Sequence, residues 1–243
     1  MSKPPPPAEG ASSESRFAEI SFTIDEQVAR LGVTGMYFVM GGLTNLQSND
    51  EFDELLEHAL SDLDDAVVNG HDIKTDPTLA GFRQLHAAVG RSNRDHVASA
   101  ESLLRLIRMN GTVSRTNLLV DIYNLVSVKT RLSISGHDLD KFEGDVRLSL
   151  TTGEEKFLPH HADEPKVVPP GEYAYIDAMG DIISRMETRQ AAKTRVDLTT
   201  TGCFYIVQGN PVTDASSVTR AADELIRVTS EFCGGTVRVL HRP

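Results

Sequence analysis

Asn117-Leu118-Leu119-Val120-Asp121-Ile122-Tyr123-Asn124-Leu125-Val126 gives way, past Arg131, to Val146-Arg147-Leu148-Ser149-Leu150, and the change of rhythm between them decides the fold. In the first stretch Leu119, Ile122 and Val126 recur at helical spacing through residues 117–128, despite the β-branched content. In the second, Val146, Leu148 and Leu150 alternate with polar neighbours, the two-residue period of a strand with one buried face. Thr152-Gly153-Glu154 then supplies a turn, so a hairpin is expected there. Glu172–Asp177 and Cys203–Val207 read as further strands, and Thr236–Leu240 as a terminal one.

Upstream, the apolar run Val33, Met36, Tyr37, Phe38, Val39 and Met40 predicts a buried strand ending at Gly41-Gly42. Phe52, Leu55, Leu56, Ala59, Leu60, Leu63 and Val67 follow a helical period, with Gly70 placed as a cap. The opposite face of that helix is acidic and solvated. Pro77 fits the first turn of a helix running to about Val89. Asn93 is expected to cap a third, with Val97, Ala100, Leu104 and Ile107 buried and Gly111 closing it. A last helix spans about Ala215–Phe232, capped by Asp214, with Gly234-Gly235 beyond. The expected class is α+β, with helices early and late around a mainly antiparallel sheet system.

The Pro- and Ser-rich residues 1–15 cannot form a core and are expected to be a tail, leaving 16–243 as a single domain. No apolar run approaches the roughly 20 residues that span a bilayer, and no secretory pattern opens the chain. Cys203 and Cys233 are not in a metal-type pair and are expected to be reduced thiols, which suits a cytoplasmic location. The net charge of −11 argues against nucleic acid until its distribution is seen. Residues 81–131 hold 8 basic and 3 acidic side chains, whereas residues 1–80 hold 4 and 15. A local patch of this kind suits transient contact with phosphates, because affinity scales with the phosphates neutralised.

Familiar signatures are absent: there is no Gly-x-Gly-x-x-Gly, phosphate-binding loop, His-Glu-x-x-His or Gly-x-Ser-x-Gly. The adjacent His160-His161 is a poor metal pair. Ser135-Gly136-His137-Asp138 contains pieces of a nucleophilic triad, but triads are usually assembled from distant segments. No cofactor is expected.

A resemblance runs through the middle of the chain. Leu103-Leu104-Arg105-Leu106-Ile107, Gly111, Thr116–Val126, Gly136, Asp138–Lys141 and Gly144-Asp145 occur in order. Gly153-Glu154, Phe157, Gly171–Asp177, Arg189-Gln190 and Lys193-Thr194 follow. This series, over about residues 77–210, resembles the tRNA-editing domain of the phenylalanyl-tRNA synthetase β subunit, and more closely the small freestanding proteins built from it. The resemblance implies an editing-domain-like fold with a sandwich-like sheet core and a deacylase acting in trans on mischarged tRNA. One group of such relatives clears tRNA(Arg) charged with canavanine. The partners it implies are therefore a mischarged tRNA, with tRNA(Arg) the specific expectation, and transient contact with a synthetase; no membrane is implied. The competing expectation is a non-catalytic module that holds tRNA ends or aminoacyl groups.

Carried over by residue, Asn124 falls on the asparagine that lines the family's editing pocket, and Tyr123 replaces a threonine beside it. Ser135 stands where the synthetase has a histidine, His137 where it has an aromatic, and Ala191 near its pocket glutamate. Those departures point away from tyrosine as the substrate. An aminoacyl ester is activated, so a positioned water and a stabilised oxyanion suffice for its hydrolysis. Asn124, Gln190, Thr194 and His137 are the expected catalytic set. Tyr123, Ser135, Asp177, Glu187 and Arg189 are expected to bind substrate, the two carboxylates facing a basic side chain. Arg91, Arg94, Arg105, Arg108 and Arg115 are the expected tRNA contacts.

Overall fold

The computed structural model describes residues 13–63, 71–160 and 162–243. Its centre is a strand, β2 (Gly35–Gly41), buried on both faces. Met36, Phe38 and Met40 point to one side and Tyr37 and Val39 to the other, so both halves of the alternation are apolar. β10 (Gly202–Gln208) is built the same way and pairs antiparallel with β2. β11 (Thr236–His241) flanks β2, and β3 (Ser133–Asp138) flanks β10, giving the order β11-β2-β10-β3. β3 is therefore an edge.

A second sheet has the order β1-β4-β7-β8-β9. It comprises β1 (Phe22–Ile24), β4 (Val146–Leu150), β7 (Tyr173–Ile176), β8 (Ile182–Arg185) and β9 (Arg189–Gln190). Only the β1–β4 pair is parallel. The two sheets face one another across Tyr37, Val39, Phe204 and Ile206 on one side and Leu148, Tyr173, Tyr175 and Ile183 on the other. A short pair, β5 (Lys156–Phe157) and β6 (Lys166–Val167), covers the outer face of the second sheet through Phe157.

Helices cover the other face of the first sheet. α1 (Ser13–Glu19) and α2 (Glu26–Ala29) are short. α3 (Asp50–Ser61), α4 (His71–Thr75), α5 (Pro77–Ala88), α6 (Ser99–Asn110), α7 (Leu118–Thr130) and α8 (Ala215–Cys233) contribute to one core with Met36, Phe38, Tyr205 and Val207. Their ends follow local chemistry. Asn49, Asp76, Asn117 and Asp214 each accept a first-turn backbone N–H, and Gly111 closes α6 in the left-handed region at φ 73°.

Three expectations change. Asn93 does not cap α6, which begins at Ser99; its side chain contacts His86 Nδ1 at 3.0 Å instead. No hairpin forms across Thr152-Gly153-Glu154, because β4 takes β7 as its partner and Glu155 ties the turn to itself by accepting from Thr152 and Gly153. The acidic helix ends at Ser61, and the expected cap at Gly70 lies outside the described residues. The expected tail lies outside them up to residue 12, and Ser13 opens α1. Among the described residues no helix is long and apolar enough to cross a membrane. Cys203 and Cys233 are buried and unbridged.

Candidate active site

A cavity of about 370 Å³ opens where the free edge of β3 meets α6, α7 and the β8–β9 turn. That volume is in the range of small-ligand sites. Ser99, Ser102, Leu103 and Leu106 come from one side of α6, and Tyr123 and Asn124 from α7. Ser133, Ile134 and Ser135 come from β3, and Glu187, Thr188, Arg189 and Gln190 from the turn and β9. Tyr175, Ile206 and Gln208 also line it.

Tyr123 and Asn124 are adjacent, yet both reach the cavity because α7 runs beside β3. Tyr123 is raised above the ordinary phenol range by burial, and its hydroxyl meets Gln190. Gln190 Nε2 also donates to the Gly136 carbonyl at 3.0 Å. Gly136 is required there: a Cβ would lie 2.9 Å from Cys203 Sγ and 3.2 Å from the Tyr123 ring. The Asn124 amide has no hydrogen-bond partner among the described residues, so it is not serving as a backbone bridge.

Glu187 carries the densest network. It accepts from His86 Nε2 through one oxygen, and from the Tyr173 hydroxyl and Gln208 Nε2 (3.2 Å) through the other. The Tyr175 hydroxyl donates to Gln208 Oε1 at 2.6 Å and lies 3.4 Å from the Tyr37 hydroxyl. Burial opposes a charge on His86, but the bond to Glu187 and its negative charge outweigh burial and raise the imidazole above 6.5. The floor is thus a buried carboxyl group bonded by a buried imidazole that this bond raises above 6.5. Sequence reasoning found Glu187 but missed His86, Tyr173 and Gln208, which carry no local signal.

His137 is not in the cavity. It is 0% exposed, its Nδ1 lies 2.8 Å from Thr194 Oγ1, and its Nε2 lies 3.3 Å from Ser135 Oγ. Burial pushes its imidazole down to about 3. It is therefore a poor general base that supports Ser135 from behind, and Thr194, 1% exposed, sits behind it in turn. Ser135 and His137 do come within reach of each other because i and i+2 share a strand face. Asp138 points elsewhere and accepts from the Thr200 hydroxyl at 2.6 Å.

Asp177 is also away from the cavity. It is fully buried, pairs with Lys193 at 3.0 Å, and accepts from the backbone N–H groups of Met179 and Asp181. Three of the five expected tRNA arginines are engaged in ion pairs. Arg91 joins Arg185 on buried Glu172, which the two guanidiniums pull below the usual carboxylate range against the opposing effect of burial. Arg115 bridges Asp121 at 2.7 Å and Asp53 at 2.5 Å, and Arg105 pairs with Glu101 at 2.5 Å. Arg94 and Arg108 are exposed, with no side-chain partner among the described residues. At 100° per residue, however, Arg108 projects from roughly the opposite side of α6 to the cavity. Arg189, exposed on the cavity wall, also has no side-chain partner among the described residues.

Among the described residues no group of three or more His, Cys, Asp and Glu is arranged to hold a metal ion. The fold and cavity define an α+β domain with a cavity at the open edge of a sheet, lined by apolar and polar side chains and Arg189 above a buried carboxyl group. The chain belongs to the B3/4 domain family, whose profile matches residues 82–234. Its structure is similar to an N-terminal fragment of the phenylalanyl-tRNA synthetase β-subunit from Pyrococcus horikoshii, with a TM-score of 0.50 and 14% identity. That match covers 90% of this chain and 50% of the other, so the chain spans half the length of the structure it resembles. No curated protein matches the sequence.

Proposed function

We propose that the protein is an aminoacyl-tRNA deacylase acting in trans, with its site in the cavity between β3, α6 and α7. The observation that carries this reading is Asn124: a polar side chain in the cavity wall, unpartnered among the described residues, at the position the family resemblance gives to the editing pocket. Water adds to the ester carbonyl carbon, the bond to the ribose oxygen breaks, and that oxygen leaves with a proton, giving free amino acid and tRNA. Asn124 and Gln190 are suited to orient the ribose and the water, since each amide both donates and accepts. Arg189 and Arg94 are the available cations for the terminal phosphates. The membership in the B3/4 family and the likeness to a synthetase fragment support a role in tRNA editing, with cytoplasmic translation as its setting.

The substrate best matched to the floor is canavanyl-tRNA(Arg). Three donors already occupy Glu187, leaving about one of its roughly four lone-pair directions for a ligand. Its charge is compensated by His86 wherever that imidazole, raised above 6.5, is protonated. A guanidinium entering this floor finds little uncompensated charge to offset its desolvation. The oxyguanidine of canavanine is a weaker base and enters neutral, donating one N–H to the remaining acceptor at lower cost. A hundredfold preference over arginine requires only about 2.7 kcal/mol. The test is deacylation of canavanyl-, arginyl- and tyrosyl-tRNA at equal enzyme concentration. Canavanyl-tRNA is expected to be cleared fastest; equal rates on the first two, or preference for the third, would overturn the substrate assignment.

A further inference from the structure

Besides Asn124 and Arg189, the cavity wall has open polar groups along β3. Ser133 Oγ is buried and unbonded. Beside it, the main chain of Ile134 is also open, as the phase of the ladder shows. The Gly209 N–H donates to the Thr34 carbonyl at 2.8 Å, so Cys203, Tyr205 and Val207 turn their peptide groups toward β2. Phe204, Ile206 and Gln208 then bond to β3, where the register pairs them with His137, Ser135 and Ser133. Ile134 and Gly136 are left directing N–H and C=O to the free edge. Gln190 takes the edge at Gly136, in agreement with that phase. Nothing among the described residues takes it at Ile134. That residue is 3% exposed and lines the cavity, although its side chain packs into the helix-side core. A buried peptide group without a partner is costly, and most are satisfied by something.

We infer that the edge of β3 at Ile134 is the subsite for the backbone of the aminoacyl group. This rests on the aminoacyl reading of the cavity and says how the ester is held. An α-amino ester presents its ammonium and its carbonyl on either side of one carbon, as a strand residue presents N–H and C=O. It therefore docks as a strand one residue long. The Ile134 carbonyl accepts from the ligand's ammonium, and the Ile134 N–H donates to the ester carbonyl oxygen, where negative charge grows as water attacks. This contact reads what all aminoacyl groups share. Selection between side chains falls to the rest of the cavity, Glu187 included.

The experiment uses 15N-labelled full-length protein and 3′-amino-3′-deoxyadenosine acylated through nitrogen with L-canavanine, L-arginine or L-tyrosine, so that an amide replaces the labile ester. A matched probe lacks the α-amine. On titration the Ile134 backbone amide should shift downfield and exchange more slowly with D2O, and the des-amino probe should bind about tenfold more weakly. If the Asn124 side-chain amide responds while the Ile134 amide does not, the strand-edge subsite is wrong and the aminoacyl reading survives. If no probe perturbs any cavity resonance, the aminoacyl reading fails and the subsite with it.

Discussion

Glu187 lies in the cavity floor with buried His86 bonded to it, and their coupling has a pH signature. His86 is raised above 6.5 in the folded chain, so the pair contributes stability that is fully present below about 6.5 and lost as pH rises through the raised value. His86→Gln should therefore lower the melting temperature most on the acid side of 6.5, with the difference from wild type shrinking above it. A constant difference from pH 5.5 to 9 would show that the pair carries no charge. Glu187→Gln removes the charge but keeps an acceptor, and it should slow clearance of canavanyl-tRNA by about tenfold, the worth of one bond to a charged group, without narrowing the preference over arginyl-tRNA; an unchanged single-turnover rate on canavanyl-tRNA would place the side-chain contact elsewhere. Asn124 and Ser135 were legible at this scale because the family pattern pointed to them, and Glu187 as a carboxylate offered to a basic side chain. His86, Tyr173 and Gln208 were not: their partners are brought in by tertiary structure, and each in isolation reads as an ordinary polar residue.

At the level of elements, helix faces decide which arginines can meet a substrate. Arg91, Arg105 and Arg115 are spent on Glu172, Glu101 and Asp121, and Arg108 lies on the far side of α6. Reversing Arg94 and Arg189 together to Glu should weaken tRNA binding and flatten its dependence on log salt by about 0.7 to 0.9 for each phosphate that is no longer neutralised. Arg108→Glu should change neither. The opposite pattern in a filter-binding titration would move the tRNA surface to the outer face of α6. The longer helices were readable from sequence, since Pro77, Gly111 and Asp214 act on their own turns and Leu119, Ile122 and Val126 keep a helical period. β3 was not, because Ser133–Asp138 is polar enough to resemble a loop and becomes a strand through its register with β10. The hairpin expected after β4 failed for a related reason: a local turn does not choose a strand's partner, and β7 supplied the better ladder.

At the scale of the whole molecule, two facing sheets hold β3, and the open edge of the first sheet lines the cavity. The α+β class and antiparallel character followed from alternation and caps, whereas the strand order β11-β2-β10-β3 depends on pairings between distant segments that no local period encodes. The net charge of −11 belongs mostly to surfaces away from the cavity wall, which fits brief visits to tRNA better than tight retention. The central claim is hydrolysis, and single-turnover decay of canavanyl-tRNA(Arg) with enzyme in excess tests it most directly, comparing wild type with Asn124→Ala. Wild type should clear the ester well above the spontaneous rate. Asn124→Ala should do so at least about tenfold more slowly, a loss of about 1.4 kcal/mol in transition-state stabilisation, with its melting temperature nearly unchanged. Decay at the spontaneous rate with both proteins, while the tRNA is retained by each, would contradict the account and leave a binding module in its place.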